Sequence, residues 1–371
     1  MSSVRLSTLI ESVSSWFPRR IENELITYLD LSSIDNKAKV IKSITKVYSQ
    51  DAPSRARQLV RTGDVLVSTV RPNLNSVSIV PAGLEGATAS TGFTVLRPKP
   101  SLDSQFLFHF VRTPTFIEFL TKRASGSSYP AVSDSIVKSC FIEVPDLESQ
   151  RMTAVRLDLA DEIIRKYSQE LSEVNQIQDS FCYSIQQSEH LEYISIGAAA
   201  KVITGKTPPT KRTELFEGGI PFVTPGDLES HRPVARSLSI EGANLSRTVE
   251  AGATLLCCIG TIGKSSIAEK HVAFNQQINA IVWSERVNPI YGYFALRALK
   301  NTLIAAGSST TLPMLTKTKL EQILIPVPER ALQDGFSDKI ELSFEIEGNI
   351  REAISKAKAL YGSIQQQEFG E

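Results

Sequence analysis

The sequence predicts a mixed α/β (α+β) fold: two similar globular domains joined by two long antiparallel coiled-coil helices, with a pseudo-two-fold internal repeat. Three observations predict it. Residues 193–328 read as a second version of residues 3–145. Each version runs into a long helical stretch of similar length. In both stretches apolar residues recur at spacings that alternate between three and four, the seam of a coiled coil. The predicted boundaries are 1–146 and 191–328 for the domains, and 147–190 and 329–371 for the helices.

Each domain opens on a short amphipathic stretch, Val4–Val13 or Ile194–Ile203. A basic, turn-rich loop follows, Phe17-Pro18-Arg19-Arg20 in the first copy and Gly205-Lys206-Thr207-Pro208-Pro209-Thr210-Lys211-Arg212 in the second. Short runs of β-forming residues bounded by Gly, Pro and Asn come next: 65–70, 77–80 and 93–96, then 253–259, 266–268 and 280–283. Within them Gly63-Asp64-Val65-Leu66-Val67-Ser68 aligns with Gly252-Ala253-Thr254-Leu255-Leu256-Cys257. A helix is predicted over 105–122 and 291–306, and a final strand over 136–144 and 320–327, each ended by a Val-Pro.

The long helices are the most legible elements. In the first, Leu157, Ile164, Leu171 and Ile185 form one row, and Ala160, Tyr167, Val174 and Phe181 the other, with Gln178 a polar interruption. The second seam reads Phe336, Ile340, Ile350, Ile354, Ala357, Tyr361 and Ile364. Neither stretch has an interior Pro. A helix of about 36 residues spans roughly 54 Å, so two packed antiparallel would form a rod with a domain near each end.

Bulk composition narrows the function classes. The 371 residues are 42% hydrophobic and 22% charged, as in ordinary globular proteins. Formal net charge is zero, so nucleic-acid binding would need local basic surface. Cys140, Cys182, Cys257 and Cys258 show no metal-type spacing, which speaks against zinc or a disulfide framework and for a reducing cytoplasm. The first residues lack a signal-peptide core, and no 18-residue apolar run occurs.

Three stretches resemble catalytic motifs and fail on their context. Gly205-Lys206-Thr207 has Ala200 where a P-loop needs Gly, and Pro208-Pro209 forbids the helix that must follow. Ile259-Gly260-Thr261-Ile262-Gly263-Lys264-Ser265 has Cys258 at that first Gly position. Asn288-Pro289-Ile290-Tyr291 is close to an amino-methyltransferase tetrapeptide but reads as a helix start. His109, His190, His231 and His271 are scattered and read as surface or packing residues. On these grounds the chain is expected to be non-catalytic, with no metal and no cofactor of its own.

Three features together resemble the specificity subunits of type I restriction–modification enzymes. They are the Gly205–Pro208 loop, the pattern at 63–68 with its echo at 252–257, and a Gly-Ser-Ser block leading to a strand that ends in Val-Pro. That block runs Gly126-Ser127-Ser128-Tyr129-Pro130 to Val144-Pro145, and Gly307-Ser308-Ser309-Thr310-Thr311-Leu312-Pro313 to Val327-Pro328. The resemblance implies that the domains are target recognition domains, each reading one half of a bipartite DNA site, with the helices setting the spacer. It implies as partners double-stranded DNA, two copies of an adenine-N6 methyltransferase subunit that uses S-adenosylmethionine, and in some assemblies an ATP/Mg-dependent restriction subunit. Copy one departs from the pattern, with Ser15-Trp16-Phe17-Pro18 for Gly205–Pro208 and Arg71-Pro72-Asn73 for Gly260-Thr261-Ile262.

Reading bases takes Arg, Lys, Asn and Gln on loops that reach a groove, with cations and small polar groups on phosphates. The candidates are Arg19, Arg20, Arg71, Asn73, Asn75, Ser127, Ser128 and Tyr129 in copy one. In copy two they are Lys206, Thr207, Lys211, Arg212, Thr261, Lys264, Ser308, Ser309, Thr310 and Thr311. Any one exposed Arg or Lys is more often simply solvated; the clustering in corresponding loops is what gives recognition weight. Residues 147–190 hold eight acidic and four basic residues, so that helix is expected to face a partner or solvent. The competing reading is a coiled-coil scaffold whose adaptor domains touch no DNA.

Overall fold

The computed structural model describes residues 3–187, 191–229, 233–307 and 312–370. The chain divides into two compact units. One comprises Met1–Gln169 with Arg351–Glu371, and the other Glu170–Ile350.

Unit 1 opens with β1 (Ser3–Arg5), α1 (Leu6–Leu9) and β2 (Ile10–Glu11). The amphipathic opening is therefore broken into three pieces. Then come β3 (Leu25–Leu29), β4 (Ile34–Asp35), β5 (Val40–Ile41), β6 (Thr45–Tyr48), β7 (Ala56–Leu59), β8 (Val65–Ser68), β9 (Val77–Ile79), β10 (Thr88–Ser90) and β11 (Phe93–Pro98). Helices α2 (Ser104–Phe110), α3 (Pro114–Thr121) and α4 (Asp134–Lys138), strand β12 (Phe141–Glu143) and the start of α5 (Leu147–Ile185) complete this stretch. Two four-stranded sheets, β2-β11-β8-β9 and β6-β3-β10-β7, stand beside the antiparallel pair β1-β12. β10 runs parallel to β3 and antiparallel to β7.

Unit 2 continues with β13 (Glu192–Ser195), α6 (Ile196–Ala199), β14 (Ala200–Thr204), β15 (Ile220–Val223), β16 (Ser237–Leu238), α7 (Ile240–Leu245), β17 (Thr248–Val249), β18 (Thr254–Cys257), β19 (Ser265–Ile267), β20 (Val272–Phe274) and β21 (Ile278–Trp283). After them come α8 (Pro289–Ala298), α9 (Lys300–Ala306), α10 (Lys317–Gln322), β22 (Leu324–Val327) and α11 (Arg330–Phe369). Its sheets, β14-β21-β18-β19, β16-β15-β20-β17 and β13-β22, repeat the order found in unit 1. β15 is again parallel to β20. The duplication read in the sequence is a duplication of topology.

β8 and β18 are buried along their whole length and mostly apolar because each is covered on both faces. In β8, Val65 and Val67 join the cluster around Phe106, Phe116 and Ile142, while Leu66 joins the one around Leu29, Phe93 and Val95. In β18, Leu256 packs with Tyr291 and Phe294, and Leu255 and Cys257 with Phe274 and Ile278.

Local capping overrides several of the expected elements. The predicted final strands begin as helices α4 and α10, since Ser133 accepts from the Ile136 N–H and Thr316 from the Lys319 N–H as N-caps. Only 141–143 and 324–327 are strand. The helix predicted over 105–122 breaks at Pro114, which sits at the N-terminal end of α3 behind the Thr113 cap. Its counterpart breaks at Leu299 with neither Pro nor Gly in the break. Asn288 caps α8 through the N–H groups of Ile290 and Tyr291, so Asn288-Pro289 is a helix start.

A repeated glutamine fastens each long helix to its domain. Gln150 Nε2 donates to the carbonyls of Pro145 and Ser101, and its Oε1 accepts from the Asp103 N–H at 2.8 Å. Gln333 makes the same set with Pro328, Arg286 and the Asn288 N–H. Both stand five positions after the Pro of the Val-Pro.

α5 and α11 run antiparallel within each unit. In unit 1, Thr153 Oγ1 donates to Glu368 at 2.8 Å, and Phe369 packs on Phe106 and Phe110. In unit 2, Gln178 Nε2 donates to Ser343 Oγ at 2.9 Å and Glu347 Oε2 at 3.3 Å. The described seam side chains match the heptad reading except at Phe181; the side chain of Ile185 lies outside those described. Phe181 is exposed, with Lys339 over its ring at 5.2 Å, and Cys182 takes the buried position.

Candidate nucleic-acid interface

Both units bring two predicted loops together by the same backbone pairing. In unit 1, Val70 bridges Ala131, the Arg71 N–H donates to Pro130 O at 2.7 Å, and the Val132 N–H to Thr69 O at 2.9 Å. In unit 2, Ile259 bridges Met314, the Gly260 N–H donates to Pro313 O at 2.9 Å, and the Leu315 N–H to Cys258 O at 2.8 Å. Arg71 thus occupies the place of Gly260. Both are left-handed, with φ of 50° and 83°. For a residue with a Cβ that conformation costs roughly 1–2 kcal/mol, so unit 1 keeps a strained Arg where Gly would be easier.

The Arg71 guanidinium lies 4.7 Å over the Tyr129 ring, which is 69% exposed. Ser127, Ser128 and Tyr129 lie on a loop closed by mutual hydrogen bonds between Ser125 and Ala131 at 2.9 Å. Gly126 turns that loop with φ of 100°. Arg71, Asn73, Ser127, Ser128 and Tyr129 are therefore exposed on two joined loops. Asn75 is placed differently. Its Nδ2 donates to Val111 O at 2.8 Å, and its carbonyl accepts from the Lys39 ammonium. It holds the turn in place.

Arg19 and Arg20 belong to a second group. Arg20 and Arg57 both stack on Phe17, at 4.5 and 4.2 Å from its centroid, and Arg19 Nε donates to Ala52 O. The sequence reading missed Arg57, together with the exposed Lys37, Lys42, Lys46 and Arg55. The signal was available: residues 36–71 hold eight basic and two acidic residues.

In unit 2 several predicted cations are engaged. Arg212 pairs with Glu214 at 2.7 Å and Glu241 at 2.9 Å. Lys264 donates to the carbonyls of Pro225 and Leu228, pinning the 225–228 turn. Thr207 Oγ1 donates to Gln276, and Thr261 lies within 3.5 Å of the Cys257 thiol. Lys206 and Lys211 are exposed. At Gly205 an added Cβ would fall 2.1 Å from Asn275 O, so this loop requires glycine. Strand β19 follows Gly263-Lys264, and Gly205-Lys206 leads into a loop, so neither has the helix of a phosphate-binding loop. Ser308, Ser309, Thr310 and Thr311, like His190 and His231, lie outside the described residues.

Buried polar groups connect the unit 1 loops to the long helices. His109 is fully buried, with Nδ1 2.9 Å from Tyr361 Oη and Nε2 2.9 Å from Asp158. Arg112 makes a bidentate pair with Asp161 and lies over Tyr361. Burial, with Arg112 nearby, pulls the Lys39 ammonium down to about 8. All four cysteines are free and buried, and burial pushes the Cys140 thiol up to about 11. No group of three His, Cys, Asp or Glu that could hold a metal ion occurs among the described residues.

A family model described as the type I restriction modification DNA specificity domain matches residues 31–176 and again residues 189–355. The chain is 22% identical to the type I restriction enzyme HindI specificity subunit of Haemophilus influenzae, over 80% of this chain and 83% of that one. It is also 22% identical to the MjaIX specificity subunit of Methanocaldococcus jannaschii, over 76% and 71%. Among solved structures, its fold is similar to that of the S subunit of a type I restriction–modification system from M. genitalium. The TM-score is 0.61 at 12% identity, covering 100% of this chain and 96% of that one. A chain from a structure of assembly and conformational transition in a type I system gives a TM-score of 0.57 at 24% identity, covering 99% and 97%.

Proposed function

The chain belongs to the type I restriction–modification DNA specificity family, and from that premise we propose how its two units divide the work. It is a DNA sequence-recognition subunit. Each unit reads one half of a bipartite site, and α5 with α11 sets the unread spacer. The subunit is non-catalytic and acts in the cytoplasm. It directs adenine-N6 methylation by two copies of a methyltransferase subunit that binds S-adenosylmethionine, and restriction where an ATP-dependent nuclease subunit is present.

The observation that carries this reading is the doubled loop pairing. The same two backbone segments are joined by the same hydrogen bonds in both units, while the side chains presented there differ: Arg71 and Tyr129 in one, Gly260 and Thr261 in the other. A constant scaffold with variable tips suits two modules reading different sequences. No helix is long and apolar enough to cross a membrane among the described residues.

Methylome sequencing of cells carrying this gene and its neighbouring methyltransferase gene, against deletion of this gene alone, tests the proposal. A split motif with methyladenine in both halves is expected to vanish on deletion. Unchanged methylation would refute it.

A further inference from the structure

Resting on the DNA-recognition reading, we infer that the two units bind DNA asymmetrically: unit 1 supplies most of the phosphate contacts, and unit 2 few. Residues 36–71 contain eight basic and two acidic residues. One of those acids, Asp64, is buried against Arg97 and offers nothing to the surface. The corresponding segment of the second copy, 230–260, has three basic and two acidic residues. The scaffold is shared; the charge of this segment is not.

The state of each cation sharpens the contrast. Lys37, Lys46 and Arg55 are exposed and take part in no ion pair among the described residues. Lys42 has only a long contact to Asp35, at 3.6 Å, and its side chain is 72% exposed. Arg20 and Arg57 flank Phe17, which holds both guanidinium planes in place and lowers the entropy lost when they meet an anion. In unit 2, Lys206 and Lys211 are exposed, whereas Arg212 already pairs with two carboxylates and Lys264 donates to backbone carbonyls. A free cation near a phosphate displaces a condensed counterion; a cation already paired gains less.

The asymmetry has a direct readout. Binding of the full chain to a short fluorescent duplex of arbitrary sequence is measured across a salt series, and log affinity is plotted against log salt. Each phosphate contact contributes about 0.9 to the slope. The variant Lys37→Gln/Lys46→Gln/Arg55→Gln/Arg57→Gln is expected to flatten the slope by about 3. Its counterpart Lys206→Gln/Lys211→Gln/Arg236→Gln/Arg247→Gln is expected to flatten it by about 1 or less. Equal losses, or a larger loss in unit 2, overturn the inference. So does an equal loss in the charge-retaining set Lys37→Arg/Lys46→Arg/Arg55→Lys/Arg57→Lys, since the effect would then not be charge. Absence of binding by the unsubstituted chain at every salt concentration would instead overturn the DNA reading beneath it.

Discussion

Asp64 and Arg97 form a buried pair in unit 1, joined by two hydrogen bonds of 2.7 and 2.9 Å and closed by Arg97 Nη2 on Leu59 O. Unit 2 has Ala253 and Val282 at the matching register positions, so both partners are absent together. Asp64→Ala alone leaves a buried guanidinium without its counter-ion. It is expected to destabilise unit 1 by about 3–5 kcal/mol, measured by denaturant unfolding. Asp64→Ala/Arg97→Val, which installs the unit 2 pair, is expected to recover most of that loss; no recovery would mean the pair is not the cause. The sequence aligns the two motifs but cannot say that Arg97, 33 positions away, is the partner. The same blindness explains the site residues. Arg212, Lys264 and Asn75 have the right chemistry for base contacts, and only tertiary structure reveals that their donors are already committed.

At the scale of elements, periodicity was legible and short-range capping less so. The heptad rows predict α5 and α11, because a seam repeated over many turns outweighs local ambiguity. The strands predicted over 136–144 and 320–327 failed because apolar runs of that length fit either state, and Ser133 and Thr316 tip their first halves into helix. The glutamine five residues after each Val-Pro is a repeat legible in the sequence, but its anchoring role shows only in the fold. His109 on α2 joins that helix to both long helices, facing Asp158, Asp161, Arg112 and Tyr361. Burial chiefly lowers its pKa below the ordinary value, against the pull of Asp158. The unfolded chain then binds a proton more readily than the folded one, so the stability contributed by neutral His109 is complete above about pH 6.5 and declines as pH falls below it. The melting temperature is expected to drop from pH 7 to pH 5, and His109→Gln to show a flatter profile. Identical profiles would remove His109 as the titrating group.

For the whole molecule, the matching sheet orders predict exchangeable modules. Replacing residues 191–328 with the corresponding segment of another family member is expected to change one half of the methylated motif and leave the other. A change in both halves, read by methylome sequencing, would show that the units are not independent. This level of organisation was the easiest to read from sequence, since a duplicated order of motifs survives drift that erases single residues. Charge placement was the hardest, because a formal net charge of zero conceals a basic first unit.

Unit 2 is one unbroken segment, whereas unit 1 is assembled from both ends of the chain. During synthesis the ribosome releases every part of unit 2 before it releases the residues that complete unit 1. Phe106 and His109 gain their α11 partners only when Tyr361, Gln365 and Phe369 have emerged. The first domain translated is thus the last to be completed.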